Sequence, residues 1–180
     1  DLMVLDAHDP DRSYPLCLLA MNHDGYHNLT LLISRAYTEG QALGIPYVRR
    51  EWLEESSAGL IALSGGVAGE VGQALAYGKQ ELARERASYW MSLYPGRFYL
   101  ELHRSGREAE EACLHAAVSL AEELQCPIVA TNDVRFLDAD EFEAHEARVC
   151  IGEGRTLDDP RRARRYTAQQ YLRSPEEMKA

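Results

Sequence analysis

The stretch PIVATNDVRF, residues 127–136, joins an apolar run to an abrupt polar end. The run predicts a buried strand, with Asn132 and Asp133 directly at its carboxyl end. Sheets of α/β proteins carry their chemistry there, because side chains at strand ends face the crevice. Asp133 suits a divalent cation, but Arg135 is a fixed positive charge that repels one. The motif therefore resembles a metal site with a missing ligand, and a structural turn cap is the alternative.

Apolar runs and helical patterns alternate along the whole chain. This alternation predicts an α/β fold with a mostly parallel sheet or a barrel wall. The helix over 107–124 is expected to keep Glu108 and Glu110 on its solvent side. Strands are predicted over 14–21, 59–64, 98–102 and 128–131, and helices over 26–37, 68–77, 80–93, 107–124 and 140–150, with short ones at 52–53, near 169–172 and from 174.

The charge balance limits the partners of this surface. The chain has 180 residues, which suits one domain, and its 29 acidic against 19 basic residues give a net charge of -10. Such a surface does not hold DNA by general neutralisation of phosphates. The dense basic cluster RRARR, residues 161–165, follows two aspartates. A solvated or ion-paired loop is the favoured interpretation of it, and a phosphate or partner contact is the alternative.

Cysteine spacing and hydropathy indicate the cellular compartment. The four cysteines are far apart and form no Cys-x-x-Cys pair, so neither a zinc knuckle nor a disulfide framework is indicated. No apolar run approaches the roughly 20 residues of a membrane span. We therefore expect a cytoplasmic protein without membrane contact. The start at Asp1, without an initiator Met or a signal peptide, suggests an internal piece of a longer chain.

Two further places have polar side chains in a suggestive pattern. Ser64-Gly65-Gly66 follows a predicted strand, so its backbone N–H groups are candidates for an anion site. It lacks the Lys and Ser/Thr of a phosphate loop, which favours a tight packing turn. Glu101 and His103 alternate on a strand and share one face. They are either a metal-binding pair or a satisfied histidine, and no nucleophile with its base is evident.

Several longer motifs, in this order, carry a family resemblance over the chain from Tyr14 onward. They resemble the PHP (polymerase and histidinol phosphatase) domain of bacterial DNA polymerase III alpha subunits, in the proteobacterial branch. The motifs are NLTLLIS (28–34), LSGG (63–66), LHAA (114–117), VATNDVRF (129–136), AHE (144–146) and YTAQQY (166–171).

The resemblance implies a fold for this chain and places DNA synthesis in another part of the protein. The fold would be part of a distorted seven-stranded β/α (TIM-like) barrel of the PHP superfamily, lacking its first strands. Residues 1–180 would be the larger, C-terminal part of the PHP domain. The opening strands would lie upstream, and the polymerase palm with its catalytic Mg²⁺ would lie downstream. We therefore expect no catalytic residue and no bound cofactor in this chain, which alone should be inactive as a DNA polymerase.

The resemblance also implies a degraded metal site. Relatives with an intact site have an Asn-Asp-x-His pattern, in which Asp133 matches the acid and Arg135 replaces the histidine. Ser105 and Pro15 fall where such relatives have other ligands. These replacements remove donors and add a repulsive charge, so no metal is expected. His103 is a possible substitute ligand through a shift in register.

Three functions follow from the resemblance. The first is a scaffold that supports the polymerase core and docks the proofreading exonuclease (epsilon) subunit, among other replicase subunits, with DNA bound through other domains. The second is an active metal-dependent phosphoesterase, acting in proofreading or as a pyrophosphatase. The third is a divergent stand-alone phosphatase of the same superfamily. The degraded ligand pattern favours the scaffold.

Overall fold

The computed structural model describes residues 1–9, 11–42, 44–107 and 110–179. Within these ranges, seven strands form one open α/β sheet in the order β3-β4-β1-β2-β5-β6-β7, and its edge strands β3 and β7 are not paired with each other. An open wall of seven strands agrees with the expected partial barrel. The strands are β1 Leu2–Leu5, β2 Ser13–Ala20, β3 Gln41–Ala42, β4 Ile45–Val48, β5 Leu60–Leu63, β6 Phe98–His103 and β7 Ile128–Thr131.

The expectation of a mostly parallel sheet is only half right. β2 runs antiparallel to both β1 and β5, and β3 runs antiparallel to β4. The pairs β1–β4, β5–β6 and β6–β7 are parallel. The reversal arises because β1, which the sequence did not reveal, returns directly into β2. Asp6 stabilises this return, since its carboxylate accepts from the backbone N–H groups of His8 and Asp9.

Most of the predicted helices are confirmed, although several begin or end a few residues away. The short helix near 169–172 is wrong, because Tyr171 instead forms a β-bridge with Phe136. No helix in the described ranges combines the length and apolar character needed to cross a membrane. The helices are α1 His23–Glu39, α2 Arg50–Glu55, α3 Glu70–Ala76, α4 Gln80–Leu93, α5 Glu110–Leu124, α6 Phe142–Glu153 and α7 Pro175–Lys179.

The core lies between the central strands and the helices that cover them. Leu60 of β5, Phe98 and Leu100 of β6, and Tyr94 after α4 are almost completely buried. Burial of such side chains supplies most of the favourable free energy of folding. The prediction that 128–131 is a buried strand is wrong in this respect, since Ile128 on the edge strand β7 is 47% exposed.

The start of α1 depends on one side chain, which gives a first prediction. Asn22 is the N-cap, and its Oδ1 accepts from Gly25 N at 2.9 Å. We expect Asn22→Ala to lower the free energy of unfolding by about 1 kcal/mol in urea denaturation, because a helix N–H loses its acceptor. Asn22→Asp keeps an acceptor and should retain wild-type stability. Equal losses in the two variants would contradict this role.

Candidate functional site

Polar side chains gather where the parallel strands β5, β6 and β7 end. Ser64, His103 and Asn132-Asp133 follow or close these three strands, so they meet at one edge of the sheet. Asp133 has a φ of 43°, in the left-handed region that residues other than glycine rarely adopt. The sequence prediction that Asp133 stands at a strand end is therefore confirmed.

The Asp133 carboxylate is engaged on both oxygens. Oδ2 accepts from Arg107 Nη1 and from Gln170 Nε2, each at 2.9 Å. Oδ1 accepts from Arg135 Nη2 at 2.6 Å. The side chain is only 16% exposed. Two guanidinium groups and one amide therefore take the oxygens that a metal ion would need.

Arg107 is the centre of this cluster. In addition to Asp133, its Nε donates to Glu110 Oε1 at 2.8 Å, and its Nη2 lies 3.4 Å from His103 Nδ1. Carboxylates and imidazoles are the groups that bind divalent cations in proteins. The Arg107 guanidinium thus supplies positive charge to side chains that would otherwise suit a metal.

Sequence reasoning missed both Arg107 and Glu110 as site residues. Glu110 was expected on the solvent side of α5, and this is wrong, since the residue is 3% exposed. The companion expectation for Glu108 lies outside the described residues. The pattern misleads because Glu110 opens the helix and turns back toward the strand end, where helical periodicity does not apply.

Ser105 donates hydrogen bonds to Glu110 and is not placed as a metal ligand. It is fully buried, and its backbone N and Oγ donate to the Glu110 carboxylate at 2.7 and 2.8 Å. Burial raises the pKa of Glu110, but these hydrogen bonds and the Arg107 guanidinium together hold that pKa below its usual value. The carboxylate therefore stays ionised beside its arginine.

Glu101 and His103 face each other as their spacing predicts. His103 Nε2 lies 3.3 Å from Glu101 Oε1, and Glu101 Oε2 accepts from Gly65 N at 3.0 Å. A Cβ at Gly66 would lie 2.3 Å from His103 Nδ1, so only glycine allows this approach. The Gly65 N–H is thus used inside the protein, which fits the packing turn and not the anion site.

Pro15 offers no donor to the cluster. It lies within β2 opposite Met3, and its carbonyl would be 2.5 Å from a Cβ at Gly65. Across the described ranges, no three His, Cys, Asp or Glu side chains are arranged to hold a metal ion. With two guanidinium groups on Asp133, the residues present do not fit a divalent cation.

Asn132 fastens a later segment, residues 167–172, which we call the strap. Its Nδ2 donates to the backbone oxygens of Gln169 and Tyr171 at 2.7 and 2.8 Å. Gln170 is fully buried, and its Nε2 donates to Asp133. Arg135 N donates in turn to Gln170 O at 2.8 Å. Asn132 therefore holds a segment that is distant in sequence, which differs from the turn cap that the sequence suggested as an alternative. Gln170 lies in the motif YTAQQY, but no sequence pattern indicated a site role for it.

The depressed carboxyl pKa values predict how stability depends on pH. Burial raises the pKa of Glu101, yet hydrogen bonds from His103, Thr131 and Gly65 N lower it overall, as happens for Glu110. Groups with a lowered folded-state pKa stabilise the protein above their unfolded pKa, and this stabilisation is lost as the pH falls through the folded value. The free energy of unfolding, measured in urea, should therefore fall as the pH drops below the usual glutamate value of 4.5.

A Glu110→Gln variant tests whether Glu110 contributes to this loss of stability at low pH. It should be less stable than the wild type near neutral pH and should show a shallower loss below the glutamate range, because one of the two groups no longer titrates. An unchanged slope in the variant would contradict the role of Glu110.

Comparison with known proteins assigns the chain to a family. The PHP domain family model matches residues 2–105. The chain is 56% identical to the DNA polymerase III subunit alpha of Pseudomonas aeruginosa and 53% identical to that of Escherichia coli K12, each over 163 residues, or 91% of the chain. The protein of that name from Pasteurella multocida is 47% identical over 99% of the chain. The chain spans 14–15% of the length of these relatives. The chain therefore belongs to the PHP domain family, and proteobacterial DNA polymerase III alpha subunits resemble it over nearly its whole length.

Proposed function

We propose that the chain is the PHP portion of a DNA polymerase III alpha subunit, which extends DNA in chromosomal replication in the cytoplasm. Identities of 46–56% to proteins of that name support this assignment. Because the chain spans about a seventh of such proteins, nucleotide addition would belong to a palm domain outside it, together with the Mg²⁺ ions. Residues 1–180 would be the larger C-terminal part of the PHP domain, with no catalytic residue of their own.

Within that subunit, we assign the chain a structural role. One observation carries this proposal: Arg107 contacts Asp133, Glu110 and His103 at once. A buried carboxylate needs a nearby positive charge, and here a side chain provides it permanently. The cluster can therefore hold the ends of β6 and β7 together without a metal ion. In this proposal the metal site is vestigial and the domain supports the polymerase core.

Phosphoesterase activity, the competing function, requires that metal ions displace these arginines. A guanidinium is not deprotonated at any accessible pH, so Arg107 and Arg135 would keep repelling the ions. His103 does not offer a free ligand either, because its Nδ1 faces Arg107 and its Nε2 faces Glu101. The same obstacle applies to a stand-alone phosphatase.

An assay with bis-p-nitrophenyl phosphate in Mn²⁺ or Zn²⁺ separates these functions. We expect the wild-type chain and Asp133→Asn to release nitrophenol only at the rate of the buffer. Metal-dependent hydrolysis that disappears in Asp133→Asn would overturn the structural role and establish a phosphoesterase.

The proposed partners are the proofreading exonuclease (epsilon) subunit and other subunits of the replicase. The names of the relatives support membership of such a complex. Sedimentation of the chain with the purified exonuclease subunit of the same organism tests the docking role. A faster-sedimenting complex is expected, and independent sedimentation of the two proteins would contradict docking.

A further inference from the structure

One stretch of this acidic chain has a net positive charge. Residues 148–165 contain six arginines and three acidic residues, whereas the whole chain has 19 basic and 29 acidic residues. Five of these arginines are exposed on α6 and the loop that follows it. We call them the arginine surface: Arg148, Arg155, Arg161, Arg164 and Arg165.

The sixth arginine anchors this loop. Arg162 pairs with Glu146 of α6, and both side chains are 7% exposed. A buried ion pair is costly to desolvate and is retained where it fixes a geometry. The loop is further held by Arg155 N, which donates to Cys150 O at 2.9 Å. The exposed arginines are therefore presented on an anchored loop.

Ion pairing within the loop is incomplete. Arg155 and Arg161 both pair with Asp159, and the sequence suggested such pairing for the cluster that contains Arg161. Arg165 reaches only Glu153, at 3.7 Å, and its side chain is 67% exposed. Arg148 and Arg164 form no ion pair among the residues that the structure describes. The ion-paired interpretation thus holds for part of the cluster and leaves positive charge facing solvent.

The positive region continues toward the site. Arg135 lies over the Tyr166 ring, with its guanidinium carbon 5.7 Å from the ring centroid, and is 39% exposed. Burial lowers the pKa of His145, and the charges of Arg148 and Arg135 lower it further. Because Tyr166 directly follows Arg165, the contact of Arg135 with its ring places Arg135 next to the arginine surface.

We propose that the arginine surface binds the phosphate backbone of duplex DNA. Guanidinium groups donate two parallel hydrogen bonds to a phosphate. Arg148 and Arg164, which form no ion pair among the described residues, and the largely exposed Arg165 are the groups available for such contacts. Contacts of this kind position a protein on DNA without reading sequence. The choice of DNA over an acidic protein segment rests on the proposed function. The surface adds a local contact to DNA that other domains of such a subunit would hold.

The salt dependence of binding measures these contacts. Each phosphate contact with duplex DNA contributes about 0.9 to the slope of log affinity against log salt. Loss of Arg164 and Arg165 should therefore reduce that slope by about 1.8. A change in overall charge alone does not produce this difference.

Fluorescence anisotropy with a fluorescein-labelled duplex of about two helical turns tests the proposal. Titrations of the chain at about 50 and about 200 mM salt compare wild type with an Arg164→Gln, Arg165→Gln double variant. The matched control is Arg35→Gln with Arg84→Gln, two partly exposed arginines of α1 and α4 that are paired to Glu39 and Glu123. It removes the same charge elsewhere. We expect weaker binding and a reduced slope only in the first variant.

Three results would overturn the proposal. They are no binding of the duplex by the wild-type chain, an equal loss in the control variant, or weakened binding of polyglutamate in the first variant while duplex binding is unchanged. The last result would assign the surface to an acidic protein segment. Failure here is distinct from failure of the proposed function, because it changes neither phosphoesterase activity nor metal content.

Discussion

Arg107→Ala is expected to lower the free energy of unfolding by about 3 kcal/mol, because it leaves the buried Glu110 carboxylate without its cation. Glu110 loses the only guanidinium with which it is paired in the described residues, and Asp133 loses one of its two. For a chain of this size, the loss corresponds to a fall in Tm of roughly 6–12 °C. Urea and thermal denaturation measure the two quantities.

Arg104→Ala is the matched control for this variant. Arg104 lies three residues earlier and also makes two hydrogen bonds to a glutamate, Glu111, but its side chain is 68% exposed. An exposed pair of this kind contributes about 1 kcal/mol or less. If Arg107→Ala destabilised the chain no more than Arg104→Ala does, Arg107 would not be the centre of the site.

Gln170→Ala is expected to release the strap from the sheet. The variant removes a fully buried amide that donates to Asp133 and accepts from Thr167 N at 3.0 Å. Buried groups that lose their partners cost about 1–3 kcal/mol each, so we expect a loss of about 3 kcal/mol. Hydrogen exchange, followed by mass spectrometry, should accelerate first at the amides of residues 167–172.

Gln169→Ala provides the comparison within the same strap. Gln169 directly precedes Gln170 but is exposed, and its Oε1 accepts only from Arg173 in the described residues. This variant should keep wild-type stability and exchange. Equal exchange in the two variants, or faster exchange spread over the whole sheet in Gln170→Ala, would contradict a specific fastening by Gln170.

The sequence revealed the parts of the site that depend on local pattern. The run before Asn132 identifies β7 and places Asp133 at its end, because an apolar segment followed by polar residues is a local signal. The two-residue spacing of Glu101 and His103 likewise places both on one face of β6. The strand ends, and hence the location of the site, were predictable.

The residues that fill the site were not predictable in this way. Arg107, Glu110 and Gln170 come from a loop, the start of a helix and an extended segment, and they meet only through tertiary structure. None of these elements gives its side chains a periodic direction that a sequence pattern can report. The family resemblance drew attention to Arg135, which contacts Asp133, but not to Arg107, the second arginine on that carboxylate.

The errors in the fold have a similar origin. β1, β3 and β4 were not predicted from the sequence, and β3 has only two residues, too few for a strand pattern to be recognised. Without β1, the reversal of β2 was not visible, and a parallel sheet was the natural expectation. Tyr171 was assigned to a helix because its backbone partner, Phe136, is distant in sequence.

We propose that guanidinium groups hold this strand edge together in place of metal ions. Elemental analysis of the chain after dialysis against Zn²⁺ and Mn²⁺, followed by removal of free metal, tests this role, with Asp133→Asn as the control. We predict equal, substoichiometric metal in both proteins. At least one metal ion per wild-type chain, lost in Asp133→Asn, would contradict the proposal.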